Sequence, residues 1–441
     1  MGIQKTALEG SILSKNRPPQ INFETVNIGG VCGREQMSFK LNEDILSKHL
    51  MLIGGTGCGK TNTFFHIVSQ LKRKMAQNDV MIIFDTKGDY KSKFFDARYD
   101  YILSAVEQES NAVWNAFSEI LGEGISKEDI DANVAEIAWG LFSDSIRKNN
   151  SNPFFPNAAK DLFAAVITCL IRKTGYKTDL INKYLNNNFL RNFFDTLTVS
   201  VLQDLVKGQS DQAAVMTYVG DGANPQGLGV FAELQTVIRK IFVGAFAKKG
   251  TFSIQKFVQQ RQAKTLFIEY DLSHGATLVP IYKLLIDLAL KESMGDNAKN
   301  RANKGNVYIF CDEFKLLPDL LHIEDAVNFG RSLGIKVFAG LQSIDQLIEN
   351  YGEARAKNII SGFSSVLSFR ANDESTRQFV VGKFGKNYVL EQNISVGNSI
   401  NEEKRIGNVV EDWELCNLGV GEAVIGLLDI PPFRFKFDLY R

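Results

Sequence analysis

The sequence has little of what marks metal-binding, secreted or strongly charged chains. Its five cysteines lie far apart, with no Cys-x-x-Cys pair and no cysteine–histidine spacing suited to zinc, so we expect reduced intracellular thiols. Lysine plus arginine and aspartate plus glutamate number 50 each, which leaves no overall attraction to a nucleic acid or a membrane. Such a partner must therefore meet a local patch, and basic clusters such as Lys248-Lys249 are short enough to be solvated helix ends.

The N-terminus lacks the basic and apolar regions of a signal peptide, and no run of about 18 apolar residues occurs. We therefore expect a cytoplasmic protein, which would reach the inner face of the cell membrane only through partners or a missing anchor. The 441 residues, 44% apolar and 23% charged, have an ordinary globular composition. Because this length exceeds the usual size of one compact core, a second or inserted domain is expected.

The strongest motif is a glycine-rich loop between a strand and a helix. An apolar run at His49–Ile53, typical of a buried parallel strand, leads into Gly54–Thr61, which reads G-x-x-x-x-G-K-T and precedes helical spacing. This context indicates backbone N–H groups around the β-phosphate of ATP, with Lys60 on the β- and γ-phosphates and the Thr61 hydroxyl on Mg²⁺. An accidental glycine-rich turn is the alternative. The residues expected to bind nucleotide are Gly54, Gly55, Thr56, Gly57, Cys58, Gly59, Lys60, Thr61 and Asn62.

A second apolar run ends in two adjacent carboxylates. Val307–Cys311 predicts a strand, and Asp312-Glu313 follow where the chain leaves the carboxyl edge of a sheet. Asp312 can hold the shell of Mg²⁺, and Glu313 can orient and polarise the water that attacks the γ-phosphate. The alternative is a helix N-cap aspartate with an exposed glutamate. Beside the phosphate loop, the hydrolytic interpretation is favoured.

Two further polar residues, one at the same edge and one in the helix before it, follow in the sequence. Helical spacing covers Ile323–Leu333, and the strand predicted at Ile335–Leu341 ends at Gln342. Gln342 could sense the γ-phosphate or the attacking water, or could be a loop amide bonded to backbone. Arg331 lies near the end of the helix, where an arginine ordinarily complements the negative end of the helix dipole.

The remaining patterns predict an insertion and a mainly parallel sheet. The strand Val80–Phe84 ends in a polar cluster containing Asp85, Lys87 and Asp89, to which we assign no chemical step. Helical patterns separated by turn-rich breaks at 151–153 and 220–227 indicate an all-helical domain. We therefore divide this α/β chain into three parts. Residues 1–120 and 249–441 form the two parts of a nucleotide-binding domain, and residues 121–248 form the all-helical insertion. Phenylalanines alternate with charged residues from Phe433, which predicts a half-buried last strand at a sheet edge.

Taken together, the motifs resemble those of the FtsK/HerA-type ring ATPases, and among them the TraG/TraD-like type IV coupling proteins. The motifs that carry the resemblance are His49–Thr61, Phe84–Asp89, Asp312–Phe314, Gly330–Ile335, Gly340–Ser343, Gln346-Leu347 and Asn350–Gly352. The resemblance implies a RecA-like P-loop NTPase domain with an inserted all-α domain, assembled as a hexamer with ATP at subunit interfaces. It also implies that Arg331 is an arginine finger and Gln342 a sensor.

The resemblance implies partners as well as a fold. Such proteins pump DNA in conjugation or pass substrates, with a relaxase or secretion-channel proteins as partners. Membrane-bound members of the family carry N-terminal transmembrane helices, which this sequence lacks. Two alternatives therefore stay open: a HerA-like DNA repair or defence motor, and an adaptor ATPase whose helical domain docks protein cargo.

Overall fold

The computed structural model describes residues 3–122, 126–220, 224–271, 275–295, 305–394 and 400–441. The chain forms two compact units, residues 1–83 with 301–441, and residues 84–300. The strands are β1 (Ile3–Glu9), β2 (Val26–Cys32), β3 (Glu35–Leu41), β4 (Leu50–Ile53), β5 (Val80–Asp85), β6 (Tyr101–Leu103), β7 (Lys264–Glu269), β8 (Val307–Cys311), β9 (Ile335–Leu341), β10 (Ser365–Phe369), β11 (Lys386–Ile394), β12 (Ile400–Asn408), β13 (Glu422–Gly426) and β14 (Phe433–Phe437).

The helices that the structure describes are distributed between both units. They are α1 (Glu43–Ser47), α2 (Lys60–Lys74), α3 (Asp89–Phe94), α4 (Ala116–Leu121), α5 (Lys127–Lys148), α6 (Phe154–Lys173), α7 (Thr178–Tyr184), α8 (Asn187–Asp195), α9 (Val199–Val206), α10 (Met216–Val219), α11 (Pro225–Ile241), α12 (Ile254–Gln260), α13 (Gly275–Met294), α14 (Ile323–Phe329), α15 (Ile344–Tyr351), α16 (Glu353–Gly362), α17 (Glu374–Phe384) and α18 (Asp412–Cys416). Short 3-10 helices lie at Ala213–Val215, Gly244–Ala247, Phe314–Leu316 and Gly330–Leu333.

The first unit is built on a sheet with parallel central strands. Its strand order is β3-β2-β14-β13-β10-β4-β9-β8-β5, and β10, β4, β9 and β8 pair in parallel. Every residue of β4, β8 and β9 is buried, so these strands read as uninterrupted apolar runs. Because they run in parallel, their carboxyl ends, which lead into Gly54, Asp312 and Gln342, share one edge of the sheet.

The last strand of this sheet corrects an expectation. β14 pairs with β13 on one side and with β2 on the other, so the predicted edge position is wrong. The alternation was interpreted correctly as one-sided burial, since Phe433, Phe435 and Phe437 are buried. Alternation reports which face of a strand is covered, however, and carries no information on whether both backbone edges are paired. A separate antiparallel sheet, β1-β11-β12, also belongs to this unit.

The second unit is mainly helical. The helical patterns expected in this region are confirmed by α5, α6 and α11, which pack on one another. The predicted break at 220–227 lies partly outside the described residues. β6 and β7 form a parallel pair, and the backbone of Tyr270 bonds to that of Asp85 at the end of β5. The division at 120/121 and 248/249 stays a prediction.

Among the described residues, α6 is the helix that is long and apolar enough to cross a membrane by length and composition. In the structure, 67% of its apolar stretch is buried. The core helix of a globular unit meets the same test, and α6 packs against α5 and α11 in this way.

Candidate active site

The phosphate loop connects β4 to α2 and depends on glycine conformations. Gly54, Gly57 and Gly59 have φ values of 151°, 72° and 115°, which side chains rarely adopt. A Cβ on Gly59 would also lie 2.9 Å from the Cα of Gly421. The backbone N–H of Gly421 donates to the Cys58 carbonyl at 2.8 Å. The turn at Gly421, before β13, therefore packs against the loop at Cys58 and Gly59. A larger residue at position 59 would push this turn and the loop apart.

Lys60 is the first residue of α2 and lies inside the loop. Its side chain is buried, and Nζ donates to the carbonyl oxygens of Gly54 at 2.6 Å and Gly55 at 3.2 Å. The ammonium is thus held where the backbone of the loop curves around it. The first turn of α2 adds the positive end of a helix, which favours an anion at this place.

Thr61 and Asp312 are brought together from distant parts of the sequence. The Thr61 hydroxyl donates to Asp312 Oδ2 at 2.5 Å, across the carboxyl ends of β4 and β8. A hydroxyl and a carboxylate are the hard oxygen ligands that Mg²⁺ accepts together with phosphate and water. Within the described residues, no group of three or more His, Cys, Asp or Glu side chains could hold a metal by itself. The Thr61 hydroxyl and the Asp312 carboxylate would supply two of the oxygen ligands of Mg²⁺, and phosphate and water would supply the others.

Glu313 and Gln342 also meet at this edge. Gln342, the residue after β9, donates from Nε2 to Glu313 Oε2 at 3.1 Å. Its amide therefore holds the carboxylate that follows β8. Glu313 stands at the N-cap position of the 3-10 helix Phe314–Leu316, yet its side chain makes no capping bond. Asp312 therefore lies one residue before the cap and Glu313 is half-buried, so the alternative of an N-cap aspartate with an exposed glutamate is wrong. Gln342, for its part, bonds to a side chain rather than serving only as a backbone-bonded loop residue.

One residue of this cluster belongs to a motif named above but was given no role from the sequence. Gln346, the third residue of α15, donates from Nε2 to Gln342 Oε1 at 3.5 Å, and its own Oε1 is buried without a hydrogen-bond partner. The chain of amides therefore runs from Gln346 through Gln342 to Glu313. Its place in the first turn of the helix that follows β9 could have indicated it, because that helix begins at the sheet edge where Gln342 lies.

Arg331 and Asn62 lie in other surroundings. Arg331 belongs to the 3-10 helix after α14, is 56% exposed, and donates to Asp44 Oδ1 at 2.8 Å. The pKa of Asp44 is lowered, chiefly by the hydrogen bond from Lys48. No described contact brings Arg331 to the loop of its own chain. Asn62 uses its amide on the C-terminal segment: Nδ2 donates to the Asp438 carbonyl and Oδ1 accepts from the Tyr440 N–H, both at 2.8 Å.

The polar cluster after β5 is described within the second unit. Asp85 is buried and accepts from the backbone N–H of Lys91 at 2.8 Å and of Lys87 at 3.4 Å, and burial raises the pKa of its carboxyl. Asp89 begins α3. These contacts give Asp85 the role of closing the turn, and Lys87 and Asp89 gain no chemical step.

These features define a class of protein. A parallel sheet that feeds one strand into a glycine-rich loop, with a neighbouring strand ending in adjacent carboxylates, is the fold of a RecA-like P-loop NTPase domain. The chain also matches the family model described as the type IV secretion-system coupling protein DNA-binding domain, over residues 37–422. This match covers more than half of the chain. The chain therefore belongs to that family, and the family expected from the motifs is confirmed.

Two curated relatives are similar along much of the chain. Coupling protein TraD of Escherichia coli is 24% identical over 353 residues, which are 77% of this chain and 44% of TraD. Probable conjugal transfer protein TraG of Sinorhizobium fredii is 24% identical over 412 residues, which are 88% of this chain and 61% of TraG. The chain thus spans about half the length of these relatives.

The fold is also that of a solved coupling protein. The plasmid coupling protein TrwB in complex with the non-hydrolysable GTP analogue GDPNP superposes with a TM-score of 0.74 at 20% identity, covering 100% of this chain and 96% of TrwB. The TrwB complex with ADP and Mg²⁺ gives a TM-score of 0.73 at 20% identity with the same coverage. These likenesses establish the mixed α/β fold.

Proposed function

We propose that the chain is the ATP-hydrolysing motor of a type IV coupling protein, which assembles as a ring and moves DNA in conjugative transfer or passes substrates to a secretion channel. The observation that carries this proposal is the meeting of Thr61 with Asp312 beside the Glu313–Gln342 pair. The TrwB complexes with ADP and Mg²⁺ and with a GTP analogue support the binding of a nucleotide and Mg²⁺. The family description supports DNA as the polymer.

The side chains would divide the work of hydrolysis. Residues 54–62 would surround the phosphates, and Lys60 would exchange its loop carbonyls for the β- and γ-phosphates. Thr61 and Asp312 would hold Mg²⁺, which when bound neutralises charge on the transferring phosphoryl group. Glu313 would orient and polarise the attacking water. Gln342 would hold that carboxylate and sense the γ-phosphate.

Arg331 would act on a neighbouring subunit. Its exposed guanidinium is paired with a solvent-exposed carboxylate, Asp44, and such a surface pair costs little to break. A site shared between subunits explains why a residue of this kind lies away from the loop of its own chain. In trans, an arginine finger is worth about 10³-fold or more in rate. Hexamers would place each such residue at the next nucleotide site.

The cellular partners follow from this role. A motor of conjugative transfer would receive DNA together with a relaxase and deliver them to secretion-channel proteins. It would work on the cytoplasmic side and meet the membrane through those partners or through an anchor outside this sequence.

Movement along DNA is tested by displacement of a triplex-forming oligonucleotide. Wild-type protein with ATP should release a labelled third strand from a long duplex, whereas Glu313→Gln protein should bind the duplex and release nothing. Release that does not require ATP, or ATP turnover without any release on duplex or tailed substrates, would contradict a DNA motor and favour an adaptor.

The shared site is tested by mixing subunits. Lys60→Ala subunits retain Arg331 but lack an intact loop, whereas Arg331→Ala subunits retain the loop but lack the arginine. Each variant alone should therefore be inactive. A mixture should regain ATP hydrolysis because some sites then combine an intact loop with an intact arginine. If activity does not return in mixed rings, the site is complete within one chain.

A further inference from the structure

The second unit contains a pocket that shares no residue with the phosphate loop. Its volume is about 440 Å³, and it is lined by the start of β6, the segment 111–113, the segment 249–253, α12 and the start of β7. A volume of this size is within the range of small-molecule sites, and a single nucleotide unit would fit it. Tyr101 and Lys264, the first residues of their strands, lie side by side at its wall.

The pocket is lined by charge of one sign. Its cationic residues are Lys249, Lys256, Arg261 and Lys264, and no aspartate or glutamate is among the residues that line it. Arg261 is buried and donates to the Val258 carbonyl, whereas the three lysines reach the surface. Three ammonium groups around one concave surface concentrate positive potential there, although the net charge of the whole chain is zero. The chemistry favours an anion with several oxygen acceptors, such as a phosphate.

Aromatic rings form the apolar part of the same pocket. The ring centroid of Tyr101 lies 5.4 Å from that of Phe252 and 5.8 Å from that of Phe257, and the centroids of the two phenylalanine rings lie 5.8 Å apart. Tyr101 and Phe252 are only half-buried, and Lys264 Nζ stands 5.4 Å from the centre of the Tyr101 ring. Rings beside ammonium groups are the combination that binds a base together with its phosphate in single-stranded nucleic acids.

The backbone at the mouth is held in an uncommon conformation. Arg261, Gln262 and Ala263 follow one another with φ values of 56°, 65° and 54°. Such values are rare for residues other than glycine, and they concentrate where a fold fixes a binding segment. This turn brings Arg261 and Lys264, the residue that follows it, to the same pocket.

We propose that this pocket binds a nucleotide unit, a base with its phosphate, presented by single-stranded DNA. The cations would contact the phosphate, and the half-buried rings would receive an unstacked base. Free mononucleotides share this chemistry and are the other source of the ligand. The proposal rests on the proposed function only for DNA as the source, since the pocket's charge and rings are independent of ATP hydrolysis.

The test compares two triple variants of equal charge. The pocket variant is Lys249→Gln/Lys256→Gln/Lys264→Gln, and the control is Lys148→Gln/Lys207→Gln/Lys240→Gln at exposed positions of the same unit. Anisotropy of a labelled single-stranded oligonucleotide is measured over a salt series. We expect weaker binding only for the pocket variant, with a salt slope lower by about 0.7 for each lost phosphate contact. Equal slopes for wild type and both variants would overturn the proposal.

Two further measurements identify the source of the nucleotide and test the site in wild-type protein, where misfolding of a variant cannot affect the result. Labelled TMP lacks the β-phosphate that the loop recognises, so its binding reports the pocket. Loss of TMP binding with unchanged strand binding assigns the site to free nucleotides and overturns DNA as the source.

In wild-type protein, a bromodeoxyuridine oligonucleotide should photo-crosslink to Tyr101 or Phe252, and crosslinks found only elsewhere would contradict the site. Neither readout needs ATP turnover, so failure of the motor proposal would remain distinguishable.

Discussion

The two compact units differ in how their chemically important side chains are gathered. In the first unit, one contiguous loop supplies most of the site, and two strand ends complete it through the Thr61–Asp312 and Glu313–Gln342 contacts. In the second unit, the basic pocket combines residues 101–113 with residues 249–264, which the helices between them separate along the chain. A local motif therefore marks the first site in the sequence, whereas only folding assembles the second.

Each unit also contains a buried titratable side chain that joins two elements. Lys283 in α13 and Asp144 in α5 form a 2.9 Å ion pair, and both side chains are nearly inaccessible. In the first unit, His49 is buried beside the strand that enters the loop and accepts the N–H of Val337 at 3.0 Å. The buried contact of the second unit joins two helices and that of His49 joins neighbouring strands, although the first unit also has a buried cation, Lys336, paired with Glu43.

The largest effect is expected at the carboxylate proposed to activate water. Glu313→Gln should reduce ATP turnover by about 10²–10⁴-fold, because the amide cannot accept a proton, while ATP binding persists. The measurement is turnover at saturating ATP together with nucleotide affinity. Glu349→Gln, which removes an exposed charge on α15, is the control. A variant with near wild-type turnover would remove Glu313 from the mechanism.

Breaking the buried ion pair of the second unit should have the next largest effect. Lys283→Met leaves the Asp144 carboxylate buried with Arg147 3.9 Å away, so we expect a loss of about 3–5 kcal/mol of stability. Amide hydrogen exchange in α5 and α13 measures it. The double variant Lys283→Met/Asp144→Leu should recover most of the loss. If the single and double variants exchange alike, the pair contributes packing only.

The buried histidine of the first unit predicts a pH dependence. Burial lowers the pKa of His49 to about 4, so the folded chain keeps it neutral while the unfolded chain protonates it near pH 6.5. The unfolded state then binds more protons, and stability falls as the pH drops from about 6.5 to about 4, by about 3 kcal/mol.

His49→Asn isolates that contribution. Asparagine tolerates the positive φ of 61° and can accept the Val337 N–H, yet it does not titrate. Denaturant unfolding at pH 7 and at pH 4.5 should show a smaller acid loss for this variant than for wild type. His322→Asn, the same change elsewhere in the unit, should leave the acid loss unaltered, and an equal loss in all three proteins would exclude His49 as its source.

The smallest effect is expected at the far end of the amide chain. Gln346→Leu removes the bond to Gln342, so Glu313 should be less well held and kcat should fall about fivefold, equivalent to about 1 kcal/mol. KM for ATP should not change, because Gln346 is not expected to contact the nucleotide. Glu349→Leu on the same helix is the control. A rise in KM instead would indicate a role in binding.

The sequence was most informative where structure is local or fully buried. β8 and β9 have the predicted bounds, and β4 and β5 differ by one residue, since buried parallel strands are uninterrupted apolar runs. The helix predicted at Ile323–Leu333 instead ends at Phe329 and continues as a 3-10 helix. Four residues do not distinguish the two helical periods.

Features that depend on distant pairing escaped prediction. The interior position of β14, the contact of Asn62 with the C-terminal segment and the amide of Gln346 each require a partner that periodicity does not specify. Lys249 is one of a pair interpreted as a solvated helix end, because its pocket partners Lys256 and Lys264 belong to other elements. The nucleotide-binding and catalytic roles of the predicted residues stay predictions until they are measured.

The most direct test of the account is steady-state ATP hydrolysis across a series of protein concentrations, with and without DNA, at low salt. If neighbouring subunits complete each site, turnover per subunit should rise cooperatively with concentration and rise further with DNA. Turnover that is constant per subunit and indifferent to DNA would contradict a ring-forming DNA motor.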